Sequence, residues 1–154
     1  RLRPSKDEAL LSEARLGGHR VLLAFPTTYM NDSGRSVVRL WRRGGQEDFD
    51  RLVIVHDELD LPPGRVKVKV GGGLAGHNGL RSVEAHLHTR DFTRVRIGVG
   101  KPPGGKEQGV GHVLSKTTGA TKELLAVAVV EAADAVELIL TEGVDAAMAR
   151  INAR

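Results

Sequence analysis

Apolar and polar positions alternate most strictly over residues 65–70, RVKVKV. A period of two turns Val66, Val68 and Val70 to one face and Arg65, Lys67 and Lys69 to the other. This predicts a half-exposed strand. Residues 9–16 (ALLSEARL) carry Leu10, Ala14 and Leu16 in the same period, followed by Gly17-Gly18 and the apolar run RVLLAF at 20–25. Together they predict a hairpin, stopped by Pro26. Leu52–Val55 is continuously apolar, which predicts a short strand buried on both faces. Val95–Val99 predicts another strand. Helical spacing appears at Val37, Val38, Leu40 and Trp41, with Asp32 or Ser33 as cap and Gly44-Gly45 as terminator. Arg39, Arg42 and Arg43 in its last turn suit the helix dipole. Leu80–Leu87, Thr121–Leu140 (stopped near Gly143) and Val144–Ile151 predict three more helices. Strands mixed with helices predict an α/β fold with a single sheet and helices on both faces. The half-exposed strand predicts that the sheet is mixed.

Composition narrows the picture. The 154 residues suit one domain, 1–154, able to bury about two thirds of its unfolded surface. The absence of Cys excludes disulfides, Cys-based zinc or iron–sulfur sites and Cys nucleophiles. No apolar run reaches about 18 residues and no signal peptide is visible, so a cytoplasmic protein without a membrane span is expected. Aromatics are 3% of the chain, so the core must come from Val, Leu, Ile and Ala. No Met precedes Met30, so a processed, trimmed or partial chain is expected. The net charge of +4 is modest but clustered, at Arg39, Arg42 and Arg43, at Arg65, Lys67 and Lys69, and at Arg90, Arg94, Arg96 and Lys101. Clustering of this kind favours a polyanionic partner.

Candidate chemistry lies in the connections. Gly71, Gly73 and Gly76 match G-x-G-x-x-G, with Asp91 about 20 residues on. The preceding strand has a charged face, unlike the buried parallel strand of a dinucleotide site, and no Lys-Ser/Thr pair follows Gly76 as a P-loop requires. No nucleotide cofactor is therefore expected. His56-Asp57-Glu58-Leu59-Asp60 follows the apolar strand, where open α/β sheets bind ligands. Adjacent side chains on an extended segment face opposite ways, so no metal site is expected there. Pro62-Pro63-Gly64 predicts a rigid turn. Asn31 and Asn78 each lie near a helix start, where a carboxamide can cap the helix or can hold a carbonyl group or a water.

These segments resemble the bacterial-type peptidyl-tRNA hydrolases. The matching stretches are Pro26-Thr27-Thr28-Tyr29-Met30-Asn31 with Ser33-Gly34, HDELDLPPG at 56–64, GGGLAGHNGLRS at 71–82, RVRIGVGKPPG at 94–104 and GVGHVLSK at 109–116. They occur in the family's order over roughly residues 9–145. The resemblance implies a single-domain α/β/α sandwich with a mixed twisted sheet. It implies hydrolysis of the ester between a peptide and the 3′ ribose of tRNA, without a cofactor and as a monomer. It further implies that Asp57 orients a general-base His, and that Asn31 and Asn78 bind the substrate's 3′ end and position water. Tyr29 and Met30 would line that site, and Lys67, Lys69 and Arg96 would meet tRNA phosphate along the acceptor stem.

The sequence departs from the family in one respect. The family's first strand, its Gly-Asn-Pro-Gly loop and the catalytic His lie upstream of the matched segments and are absent from these residues. His19, His56, His77, His86, His88 and His112 do not occupy the base position. The expectation is a domain lacking its first strand, with exposed apolar edges, weakened stability and a tendency to associate. The alternative is a relative that binds tRNA without hydrolysing it.

Overall fold

The computed structural model describes residues 1–74, 76–101 and 119–154. The GVGHVLSK motif with His112, and the end of the 94–104 stretch, lie outside the described residues. The rest forms two compact units, Arg1–Leu52 with Val70–Phe92, and Val53–Lys69 with Thr93–Arg154.

In the first unit, β1 (Arg3–Pro4), β2 (Ala9–Leu16) and β3 (His19–Pro26) form an antiparallel sheet in that order. Gly17 and Gly18 take φ of +54° and +82°, as a two-residue hairpin turn of matching twist demands. A 3₁₀ turn, Met30–Asp32, leads into α1 (Ser33–Gly44), which Gly45 ends in the left-handed conformation. Asp32 holds the capping position of α1 but makes no side-chain cap bond, and Ser33 Oγ donates back to Met30 O instead. The expected capping therefore fails, because the preceding 3₁₀ turn already occupies the local donors and acceptors. The helix α2 (Asn78–Leu87) completes the unit.

In the second unit, β4 (Val53–Glu58), β5 (Val66–Val70) and β6 (Thr93–Gly98) form a sheet in the order β4-β6-β5. Strands β4 and β6 are parallel. Gly98 N–H donates to Arg65 O, and Gly71 N–H donates to Phe92 O, so β5 runs antiparallel to β6. The sheet is mixed, as expected. The expectation of a single sheet is corrected, because the hairpin strands close on one another through their tight turn and form a separate ladder.

Helices α3 (Gly119–Glu142) and α4 (Val144–Ile151) pack on the β4–β6 sheet. Ala128, Ala132, Ala135 and Ile139 of α3 recur at helical spacing and meet Val66, Val68 and Val95 of the strands. Small side chains on that stripe let the helix lie close to the sheet. Asn152, just past α4, accepts from Val68 N–H (2.7 Å) and donates to Val68 O (2.9 Å). It pairs with β5 as a neighbouring strand would and blunts that edge.

A second correction concerns β4. Its apolar residues are not the buried ones: Val55 is 49% exposed, whereas His56 and Glu58 are buried. Among the described residues β4 has only β6 beside it. Strand β3 likewise has only β2 beside it and leaves Leu22, Leu23 and Phe25 exposed. Among the described residues, no helix is long and apolar enough to cross a membrane.

Candidate active site

In the first unit, β3 delivers the chain to the 3₁₀ turn, and Thr27 N–H anchors the exit on Glu8 O at 2.8 Å. Tyr29 (81% exposed) and Met30 (58% exposed) project from that turn, and Asn31 is exposed beside them. Helices α1 and α2 cross where Gly34 sits on Ser82. A Cβ on Gly34 would stand 2.1 Å from Ser82 O and 2.6 Å from His86 Nδ1. Ser82 Oγ accepts from Gly34 N–H at 2.9 Å, satisfying a helix-start donor that has no partner within its own helix. This crossing lies three residues after Asn31 and four after Asn78, so both asparagines stand near it. The contact of Met30 with α2 shows the same proximity, since Met30 Sδ lies 2.8 Å from where a Cβ on Gly79 would stand.

The capping alternative for the two asparagines is not realised. Tyr29 and Asp32 hold the capping positions of the 3₁₀ turn and of α1, and His77 caps α2 by accepting Leu80 N–H on Nδ1 at 3.2 Å. Asn31 and Asn78 are both exposed, and neither carboxamide bonds another described residue. Each is left to donate and accept toward a ligand. A carboxamide can polarise an ester carbonyl and orient a water without titrating.

In the second unit, Asp57 lies near the C-terminal end of β4, half-buried. The turn after it is held rigidly, as expected. Arg65 N–H donates to Pro62 O (3.1 Å), Val99 N–H to Glu58 O (3.0 Å) and Gly100 N–H to Leu61 O (2.9 Å). Only glycine fits at 98, where a Cβ would stand 2.2 Å from Pro62 O. The HDELD segment alternates faces as the spacing predicts. Among the described residues, no group of three or more His, Asp or Glu could hold a metal. The glycine loop after β5 does not continue a parallel β-α-β unit, since β5 is antiparallel to β6. Asp91 lies against the loop itself, with Oδ1 3.3 Å from where a Cβ on Gly71 would stand.

The basic clusters fare differently. Arg35 and Arg39 share Glu8 (2.6 and 3.3 Å), and Arg43 binds the buried Asp7 (2.6 Å). The hydrogen bond and charge of Glu8 raise the Arg35 pKa. Arg90 pairs with Glu84, Lys101 with Asp60 (3.4 Å) and Arg96 with Glu58 (3.1 Å). Arg94, counted in a cluster by sequence, is 1% exposed. Its burial is a correction to the reading of a solvent-facing basic group there. Lys67 and Lys69 remain half-exposed on the face of β5 opposite Val66 and Val68, with no ion pair among the described residues. If this face meets tRNA phosphate, as the resemblance implies, the Lys67→Gln/Lys69→Gln double variant should weaken tRNA binding. It should lower the slope of log Kd against log salt by about 1.4–1.8. A salt titration of tRNA binding checks this, and an unchanged slope would contradict it.

The histidines divide by their ring contacts. Arg94 Nε donates to His56 Nε2 (3.1 Å), and the other ring nitrogen, Nδ1, bonds Asp57 O (2.8 Å). His77 Nδ1 is the cap of α2, and His86 Nδ1 donates to Ser82 O (2.9 Å). Sequence reasoning missed the burial of His56 and Arg94 and the role of Asn152. A positively charged residue and a histidine 38 positions apart carry no local signal of their pairing.

The sequence profile described as peptidyl-tRNA hydrolase matches residues 1–154. The chain belongs to the peptidyl-tRNA hydrolase family. It is 44% identical over 148 residues to the peptidyl-tRNA hydrolase of Mycobacterium sp. strain KMS, covering 96% of this chain and 76% of that protein. It is 46% identical over 147 residues to that of Nocardia farcinica, covering 96% and 75%. The crystal structure of peptidyl-tRNA hydrolase from Acinetobacter baumannii superposes with a TM-score of 0.91 at 40% identity, covering 99% of this chain and 77% of that one. Family membership thus accounts for the order of the motifs that carry Asn31, Asp57 and Asn78.

Proposed function

We propose that the protein hydrolyses the ester joining a peptide to the 3′ ribose of tRNA, releasing the tRNA for reuse in the cytoplasm. The observation that carries this is family membership along the whole chain. Two exposed carboxamides released from capping support it. In this reading the 3′ CCA end lies by Tyr29, Met30, Asn31 and Asn78. The acceptor stem runs along Lys67 and Lys69, with Arg96 adding charge tempered by Glu58.

Water attacks the ester carbonyl, and the tetrahedral oxyanion accepts hydrogen bonds from a carboxamide. The ribose hydroxyl leaves with a proton. A general base takes the proton of the attacking water, and Asp57 holds that base in its reactive tautomer. We do not assign the base to His56 or His77, whose ring nitrogens are engaged as described. The family places a His upstream of the segments matched here, and we take that group as the base.

Peptidyl-tRNA hydrolysis by the 154-residue chain and by an N-terminally extended protein tests the reading. The extended protein should turn over, and the 154-residue chain should be slower by about 10²–10⁴-fold, the worth of a general base. Equal rates would overturn the base assignment. Absence of hydrolysis by the extended protein, with tRNA still bound, would favour the non-catalytic relative.

A further inference from the structure

We infer that His56 and Arg94 are positioning residues for Asp57, acting through the Asp57 backbone rather than through its carboxylate. The inference rests on the role proposed above for Asp57.

The register makes the arrangement possible. In the parallel β4–β6 pair, Ile54 stands opposite Arg94 and His56 opposite Arg96. The pleat turns His56, Glu58, Arg94 and Arg96 to one face and Asp57 to the other. Arg94 and His56 are therefore diagonal neighbours on a single face, beneath the strand end that bears Asp57.

The hydrogen bonds then fix the protons. A guanidinium Nε–H can only donate, so His56 Nε2 must accept and carry no proton. Nδ1 of the neutral ring must then hold the proton, and it donates to Asp57 O at 2.8 Å. The ring has one tautomer and both of its nitrogens are used. It ties the carbonyl of Asp57 to a side chain on β6, from the face opposite the carboxylate.

Burial makes the tie stiff. Arg94 is almost wholly enclosed, and its counter-charge is the buried Glu58, 3.8 Å from Nη2. Glu58 also takes Arg96 at 3.1 Å. Burial lowers the Arg94 pKa and the charge of Arg96 acts in the same direction, while Glu58 opposes both. An arginine stays protonated under such pressure. A lysine would not present a fixed Nε–H beside a charge-pairing arm, because its ammonium is a single point on a flexible stem.

A buried charge of this kind is a costly way to hold two strands together, since an apolar pair would often do as well. Here it fixes the orientation of the one peptide that carries the proposed orienting carboxylate. A misplacement of about 1 Å in such a group can cost on the order of 100-fold in rate.

The first experiment reads the ring. In the 154-residue chain, the ¹⁵N shifts of His56 at neutral pH should report the Nδ1–H tautomer, and Arg94→Lys should abolish that preference. An Nε2–H ring or an imidazolium in the unaltered chain would overturn the inference. The second reads catalysis in the N-terminally extended protein. Arg94→Lys and His56→Ala should lower kcat on the order of 10- to 100-fold with KM for peptidyl-tRNA unchanged. The acid limb of the kcat/KM profile should also move to lower pH, because a misaligned carboxylate stabilises the protonated base less. His56→Asn, which keeps a donor near the position of Nδ1, should recover part of the rate. Melting curves identify any variant that fails to fold, and His56→Asn then decides the matter. If Asp57→Asn is inactive while the Arg94 and His56 variants keep the rate and pH profile of the parent, this inference falls alone. If Asp57→Asn is fully active, the role given to Asp57 falls first and takes this inference with it.

Discussion

Asp57→Asn in the N-terminally extended protein should lower kcat/KM for peptidyl-tRNA by on the order of 10³- to 10⁴-fold, while the melting temperature stays close to that of the parent. The size follows from removing an ionised carboxylate that fixes a base's tautomer, as seen in the serine-protease triad. Stability should change little, because Asp57 is half-buried at a strand end rather than enclosed in the core. The replacement is nearly isosteric, so the turn held by Arg65, Val99 and Gly100 should persist. A loss of less than about tenfold would remove Asp57 from the mechanism, one pKa unit of base stabilisation being worth about 1.4 kcal/mol. A large fall in melting temperature would instead mark it as structural. Rate and melting temperature measured on one preparation separate these outcomes.

Gly34→Ala should cost about 3 kcal/mol of stability, read as a fall in melting temperature of about 6–12 °C. The added methyl would stand 2.1 Å from a backbone carbonyl of α2, and backbone cannot rotate away as a side-chain tip can. The two helices must separate, and the bond from Gly34 N–H to Ser82 Oγ stretches with them. Activity should suffer as well, because the crossing lies beside both Asn31 and Asn78. Raised KM in whatever fraction remains folded is the expected kinetic mark. Gly18→Ala is a useful contrast, since nothing lies within 4 Å of a Cβ there and its cost is one of backbone conformation alone. A Gly34→Ala protein within about 1 kcal/mol of the parent would show that α1 and α2 can repack freely.

Much of the local structure was legible in the chain. The alternation over residues 65–70 predicted a strand and its faces; the strand is Val66–Val70, with Val66 and Val68 in the core while Lys67 and Lys69 face outward. Residues 9–16 form the predicted strand in full, and Val144–Ile151 is the predicted helix. The Gly17-Gly18 and Gly44-Gly45 signals ended elements where they should, because the backbone at Gly17, Gly18 and Gly45 takes a left-handed conformation. The order of the motifs carried the family.

Burial was less legible, and β4 shows why. An apolar run says that a strand can be covered, not that a neighbour covers it. Among the described residues only β6 flanks β4, and Val55 stays exposed while His56 and Glu58 are enclosed. The two asparagines teach the same lesson. A helix start is written in the sequence, but whether Asn78 or the preceding His77 caps it depends on backbone angles that the residue type leaves open.

The sequence by itself determined the elements, their polarity and the chemical groups available. These depend on neighbours two to four residues away, whose spacing is fixed by helix and strand periodicity. The tertiary structure decided which charges are spent inside the fold and which remain. Arg94 meets His56 and Glu58, 38 and 36 positions away along the chain, and Arg39 and Arg43 meet Glu8 and Asp7, so those cations are compensated, while Lys67 and Lys69 have no ion pair among the described residues. Charge compensation falls off within a few ångströms of through-space distance, and the chain path between partners gives no measure of that distance.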